Sequence, residues 1–251
     1  MSIPEAIAIA AAGAGAGTIN AAVGSGTLLT FPTLLAFGFA PVVANVSNTV
    51  GLVPGSISGA HGYRSELAGQ RRRATVLGAA SALGGVGGAV LLLALPASAF
   101  KSIVPVFIGL ALVLVVAQPR LAARLGARRT EAGEHGGRWV ALGLFTTGVY
   151  GGYFGAAQGI ILLAVLGLGL SEGLQRINAL KNVLAGVTNL VAGVVFAAVA
   201  DVNWTVVVLL AVGSTCGGQL GARAGRRLPP AALRLLIVAV GFAAIVELVR
   251  P

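Results

Sequence analysis

Residues 17–118 of this chain recur more than a hundred positions later. An offset of 131 pairs Gly17 with Gly148, Gly24 with Gly155 and Gly38 with Gly169. An offset of 133 then pairs Asn45 with Asn178, Asn48 with Lys181, Thr49 with Asn182 and Ser56 with Asn189. The same offset carries Gly84 to Gly217, Gly88 to Gly221, Leu95-Pro96 to Leu228-Pro229 and Lys101 to Arg234. Two residues inserted between Gly169 and Asn178 account for the change. Duplication inside an apolar, polytopic chain is a signature of transporter folds.

The chain is apolar enough for that reading. It is 57% hydrophobic and 10% charged, with a mean hydropathy of +0.94, outside the range of soluble domains. Ten apolar segments follow one another at 5–23, 27–39, 42–63, 74–95, 100–118, 138–155, 159–171, 174–200, 204–222 and 231–249. The second and seventh hold about thirteen residues, so they reach roughly 20 Å of a ~30 Å hydrocarbon core. The fold expected is an all-α polytopic membrane protein of two inverted repeats, about five helical segments each. Short broken or re-entrant helices follow Gly24 and Gly155. The divisions are 1–118 for the first repeat, 119–137 for a linker and 138–251 for the second repeat.

The net charge of +10 sits in short loops between spans, which argues against nucleic acid and for orientation in a bilayer. Arg64, Arg71–Arg73, Arg120, Arg124, Arg128, Arg129, Arg223, Arg226 and Arg227 all fall on one side if every segment reverses the chain. The positive-inside rule makes that side, and the loop 119–137, cytoplasmic. Five reversals per half is odd, which gives the halves opposite topology. Residues 5–23 read as a retained span, since no basic region precedes them. The 38 glycines suit close helix packing in lipid and leave outer faces that suit a homodimer.

Candidate binding residues gather at the duplicated positions. Ser25, Gly26 and Thr27 break the first helical pair, and Ala157, Gln158 and Gly159 break the second. A helix broken inside the membrane offers backbone N–H groups and a positive dipole end to an anion. Asn45, Asn48 and Thr49, with Ser56 further on, lie along one helix face. Asn178, Lys181, Asn182 and Asn189 repeat that stripe. Such side chains in hydrocarbon face a bundle interior or a wet cavity, or serve as interhelical hydrogen-bond glue. Lys181 departs from the symmetry: no carboxylate occurs in mid-span, so the substrate supplies its counter-charge, the side chain snorkels to the surface, or burial leaves it deprotonated. His61, Tyr63 and Arg64 close the third segment as an interfacial anchor, with a gate or proton-sensing role as the alternative. Tyr150 and Tyr153 flank the second break and either line a path or pack.

No catalytic residues, metal site or cofactor are expected. Two distant histidines and the single Cys216 give no ligand cluster. No acid–base pair lies within the spans, and no Walker-type loop is present.

The run "GTINAAVGSGTLLTFPTLLAFGFAPVVANVSNTVGLVPGSISGAHGYR" resembles the first repeat of the sulfite exporter TauE/SafE family, also called the 4-toluenesulfonate uptake permease family. The run "GVYGGYFGAAQGIILLAVLGLGLSEGLQRINALKNVLAGVTNLVAG" resembles the second, although Ala156-Ala157-Gln158 replaces the usual run of glycines. The resemblance implies a multi-pass transporter of the bacterial inner membrane for small sulfur-containing anions such as sulfite, sulfonates or sulfoacetate-like compounds, commonly exported. Uptake and export read alike in an inverted repeat. A channel, a permease for another small anion and a non-transporting membrane protein remain the alternatives.

Overall fold

A computed structural model describes residues 1–127 and 137–224, with 235, 237–242 and 245–246 beyond them. Ten helices run through the first two stretches: α1 (Ile3–Ala22), α2 (Thr27–Ala36), α3 (Pro41–Gly51), α4 (Val53–Gly62), α5 (Arg71–Ala94), α6 (Ala97–Ala127), α7 (Gly137–Tyr153), α8 (Gln158–Gly169), α9 (Leu174–Val199) and α10 (Trp204–Ala224). No strand occurs among the described residues. The chain begins with a capping box: Ser2 Oγ accepts from the Glu5 amide while Ser2 N–H donates to Glu5 Oε2 at 2.8 Å.

The protein is an all-α membrane protein. Four of the described helices, Arg71–Ala94, Ala97–Leu121, Leu174–Val199 and Trp204–Arg223, are long and apolar enough to cross a bilayer. In α6, Val104, Ile108, Ala111 and Val115 are wholly buried, while Val106 and Val113 on another face are 68% and 63% exposed. A helix that is apolar all round, with one face in the protein and one outside it, is suited to lipid rather than water. The short helices α2 and α8 have 10 and 12 residues, too few to span, as their sequence predicts.

Two expected boundaries are corrected. The third apolar segment, read as one helix over 42–63, is divided at Leu52 into α3 and α4. Pro54 has no N–H to donate back along the helix and sits in the first turn of the new one, where that donor would be unused in any case. Ser56 therefore stands on α4, apart from the Asn45–Thr49 face on α3, whereas its counterpart Asn189 shares the unbroken α9 with Asn178. In addition, α6 continues through Pro119 to Ala127, so the segment read as linker begins as helix. Residues 128–136 and most of 225–251 lie outside the described residues.

Helices of one half pack on helices of the other: α1 lies against α10, and α5 against α7. The two seams are the same contact made twice. A methyl on Gly84 would fall on the Phe145 carbonyl oxygen and 2.9 Å from the Val149 nitrogen. On Gly217 it would fall on the Ala14 carbonyl oxygen and 2.9 Å from the Thr18 nitrogen. Phe145 and Val149 are the repeats of Ala14 and Thr18. Small residues let these backbones meet, which gives van der Waals contact where lipid supplies no hydrophobic drive between helices. Thr18 Oγ1 adds a bond across the first seam, donating to the Gly217 carbonyl at 3.1 Å.

Two further features fix the surroundings of the breaks. On one side Phe31, Phe100, Phe107, Tyr150, Tyr153 and Phe154 form an aromatic cluster, with Phe31 and Phe154 edge to face at 5.1 Å. At the α8–α9 corner, Glu172 accepts from Arg73 Nη1 and from Arg176 Nε, each at 2.7 Å. Gln70 Nε2 reaches the Arg176 carbonyl at 3.3 Å. This tie joins the start of α5 to the start of α9. Partial burial alone would raise the Glu172 carboxyl, but its bonds and charge contacts with the two arginines outweigh it and hold the group below its ordinary range.

Candidate substrate cavity

The two helix breaks close alike. At the end of α1 the Val23 and Gly24 N–H groups both donate to the Ile19 carbonyl, at 2.7 and 2.9 Å. At the end of α7 the Phe154 and Gly155 N–H groups both donate to the Tyr150 carbonyl, at 2.9 and 3.0 Å. Gly24 and Gly155 then turn the chain through left-handed backbone, φ +90° and +75°, which glycine adopts without strain. Helices α2 and α8 start three residues later, at matching positions. The halves differ at Ala157, whose φ of 58° is left-handed where its counterpart Gly26 is helical at −62°.

The breaks touch. Gly159 N–H donates to the Gly24 carbonyl at 3.0 Å, and the two Cα positions leave no room for a side chain on either residue. Beside this contact lies a cavity lined by, among others, Asn20, Thr27, Gln158, Lys181, Asn182 and Asn189. It is small, with room for about one water molecule.

Side chains of each half cap the broken helix of the other. From α9, Asn178 Nδ2 and Asn182 Nδ2 both donate to the Ala21 carbonyl at 3.2 Å, and Lys181 Nζ donates to the Asn20 carbonyl at 2.8 Å and the Ala21 carbonyl at 3.4 Å. From α3, Asn45 Nδ2 donates to the Tyr153 carbonyl at the end of α7, at 2.9 Å. These carbonyls are the orphan acceptors of a helix C-terminus, where a positive charge is favoured. Lys181 is fully buried, and no carboxylate among the described residues pairs with it. Two of its three N–H groups are thus directed at α1, leaving one for the cavity that it lines.

Of the residues singled out in the sequence, Thr27, Ser56, Gln158, Gly159, Lys181, Asn182 and Asn189 line the cavity, with the break glycines Gly24 and Gly155. Asn45 and Asn178 act instead as helix caps. Asn48 stays within its own half, accepting from Thr30 Oγ1 and donating to Thr27 Oγ1 at 3.5 Å. Thr49 Oγ1 donates to the Asn45 carbonyl. Ser25 Oγ is buried without a partner, and Ser25 and Ala157 lie in the breaks beside the cavity wall. Gly26 N–H is already used, donating to Asn20 Oδ1 at 2.6 Å.

The flanking residues stand apart from the cavity. Tyr63 is buried against Ala21, Ala179 and Ala222, while His61 and Arg64 are exposed, Arg64 donating to the His61 carbonyl. Tyr150 Oη donates to the Ala156 carbonyl and so braces the second break. Tyr153 belongs to the aromatic cluster, its hydroxyl buried without a partner. The sequence reading passed over Asn20, although a lone amide in an apolar span four residues before Gly24 was the available signal.

The Lys181 ammonium, the Asn20 and Gln158 amides and the Thr27 hydroxyl converge on one space, a set suited to an oxyanion.

The model of the family "Sulfite exporter TauE/SafE" matches residues 9–248. The chain is similar to "Probable membrane transporter protein YfcA" of Escherichia coli K12, at 25% identity over 83% of this chain and 76% of that protein. It is also similar to "Probable membrane transporter protein" of Haemophilus influenzae, at 24% identity over 90% of this chain and 88% of that one. No solved structure matches the chain.

Proposed function

Because the chain belongs to the sulfite exporter TauE/SafE family, we propose that this membrane transporter carries a small sulfur-containing anion out of the cell by alternating access at one central site. The carrying observation is Lys181: fully buried, unpaired by any described carboxylate, and lining the cavity between the two breaks. A buried ammonium is costly without a partner. The partial negative charge of the α1 C-terminus meets part of that cost, and an incoming oxyanion meets the rest.

Inversion of the two halves is supported by the exchange of α1 and α7 between partners α10 and α5 and by the matched closure of both breaks. Rocking one half against the other about the Gly24–Gly159 contact exposes the site first to one face and then to the other. With no carboxylate among the described residues of the cavity to carry a proton, either coupling rides on protonation of the substrate itself or transport is facilitated diffusion. The arginine-rich loops orient residues 119–137 to the cytoplasm of a bacterial inner membrane.

The test is flux of labelled sulfite and sulfate in proteoliposomes, for the native protein and Lys181→Ala. Native protein is expected to show saturable flux and counterflow, and the variant to lose both. Flux no greater than in empty liposomes ends the transporter reading, and unsaturable flux without counterflow replaces it with a channel.

A further inference from the structure

Four carboxamides line the cavity, Asn20 from the first half and Gln158, Asn182 and Asn189 from the second; the two that flank the helix breaks, Asn20 and Gln158, stand at positions that do not match. The first half carries Asn20 and Thr27; their counterparts at the offset of 131 are Gly151 and Gln158. An amide is thus present on α1 in one half and on α8 in the other. Gly151 makes the second placement feasible, because a methyl there would fall on the Gln158 carboxamide, 2.6 Å from its Oε1. The Gln158 side chain lies across that bare turn of α7. It is 4% exposed, and its Nε2 has no protein partner. Asn20 is oriented by Gly26, whose N–H requires an oxygen acceptor and so fixes Oδ1 on that side. The Asn20 amide nitrogen is left without a protein acceptor in the same cavity.

We infer that Asn20 and Gln158 form a two-sided amide clamp that selects a compact oxyanion and excludes one bearing an organic substituent. The inference rests on the transport reading above and narrows it. Each amide donates to a different oxygen of the ligand, and Lys181 supplies the charge. The Gln158 amide is a buried donor that gains a partner when an acceptor arrives, and the half-buried Asn20 amide has no protein acceptor to compete for it, so these two groups favour occupancy by an oxyanion over an apolar solute. The Gln158 side chain, not the backbone, sets the size limit. Thr, the residue that the first half carries at this position, is shorter and would enlarge the space.

The experiment measures flux of labelled sulfite and of ethanesulfonate in proteoliposomes, with elution profile and thermal stability recorded for every variant. Native protein is expected to carry sulfite at least about tenfold faster than ethanesulfonate, the discrimination that one well-placed buried contact supplies. Gln158→Thr is expected to bring the two fluxes within about threefold, and Asn20→Ala to raise the half-saturating concentration of sulfite about tenfold. Gly151→Ala, which pushes the carboxamide into the cavity, is expected to slow sulfite, with Gly151→Ala/Gln158→Thr restoring it. Equal flux of both anions in the native protein overturns the clamp, as does unchanged selectivity in a folded Gln158→Thr. If Gln158→Thr does not fold, slowing of sulfite in a folded Gly151→Ala sustains the clamp, and no slowing overturns it. Absence of any flux in the native protein overturns the transporter reading, and the clamp with it.

Discussion

The backbone N–H of Gly159 donates to the carbonyl oxygen of Gly24 at 3.0 Å, so the two broken helices are joined across the halves by main chain alone. Neither position tolerates a side chain, but for different reasons. Gly24 combines left-handed backbone with the close approach, whereas Gly159 has only the close approach. Gly24→Ala is therefore expected to cost about 1–2 kcal/mol of backbone strain beyond the clash shared with Gly159→Ala, which is itself about 1–3 kcal/mol. Thermal unfolding in detergent measures the difference. Equal losses would show that the turn carries no strain for alanine.

Gly84 and Gly217 make the same contact in the two seams. Alanine at either one should lower stability by a similar amount, roughly 1–3 kcal/mol, because a methyl meets backbone rather than a movable side chain. Comparing the two melting temperatures checks this. A large loss at one and none at the other would mean that only one seam holds the bundle.

Lys181→Gln keeps a donor near the Asn20 and Ala21 carbonyls but removes the charge. It should remain folded while anion flux falls by about a hundredfold or more, the scale of a lost buried charge contact of roughly 3 kcal/mol. Flux close to native would assign Lys181 to capping α1 and nothing else.

At the α8–α9 corner, stability should depend on pH through Glu172. Its carboxyl is held below the ordinary value of 4.5, so the contribution is complete above that value and is lost as pH falls through the lowered value. The pair is partly exposed, and about 1–2 kcal/mol is expected from it. Glu172→Gln should remove that dependence and match the native protein at low pH. A native melting temperature that stays flat from pH 7 to 3, with Glu172→Gln no less stable at pH 7, would dismiss the tie as ornamental.

Much of this arrangement was legible in the sequence because it is written in residue types that have few substitutes. Gly24 and Gly155 announced the breaks, since only glycine takes such turns freely, and the short runs after them announced half-length helices. The stripe from Asn178 to Asn182 was placed in the interior by the cost of amides in lipid. What those amides bind was not legible. Their acceptors are main-chain carbonyls about 157 residues away, and a survey of side chains for the partner of Lys181 passes over a helix end. The division before Pro54 was missed because hydropathy runs on unchanged through a proline seated in a first helical turn. Asn20 was overlooked because its counterpart is Gly151, so matching the halves gave it no emphasis.

The bond from Thr18 to Gly217 spans 199 residues of chain. During synthesis α1 therefore waits in the bilayer, its mate still unmade, until α10 has been inserted. A product truncated ahead of Trp204 would present an unclosed glycine groove to the membrane's quality-control proteases, so closure of this seam is gated by the arrival of α10.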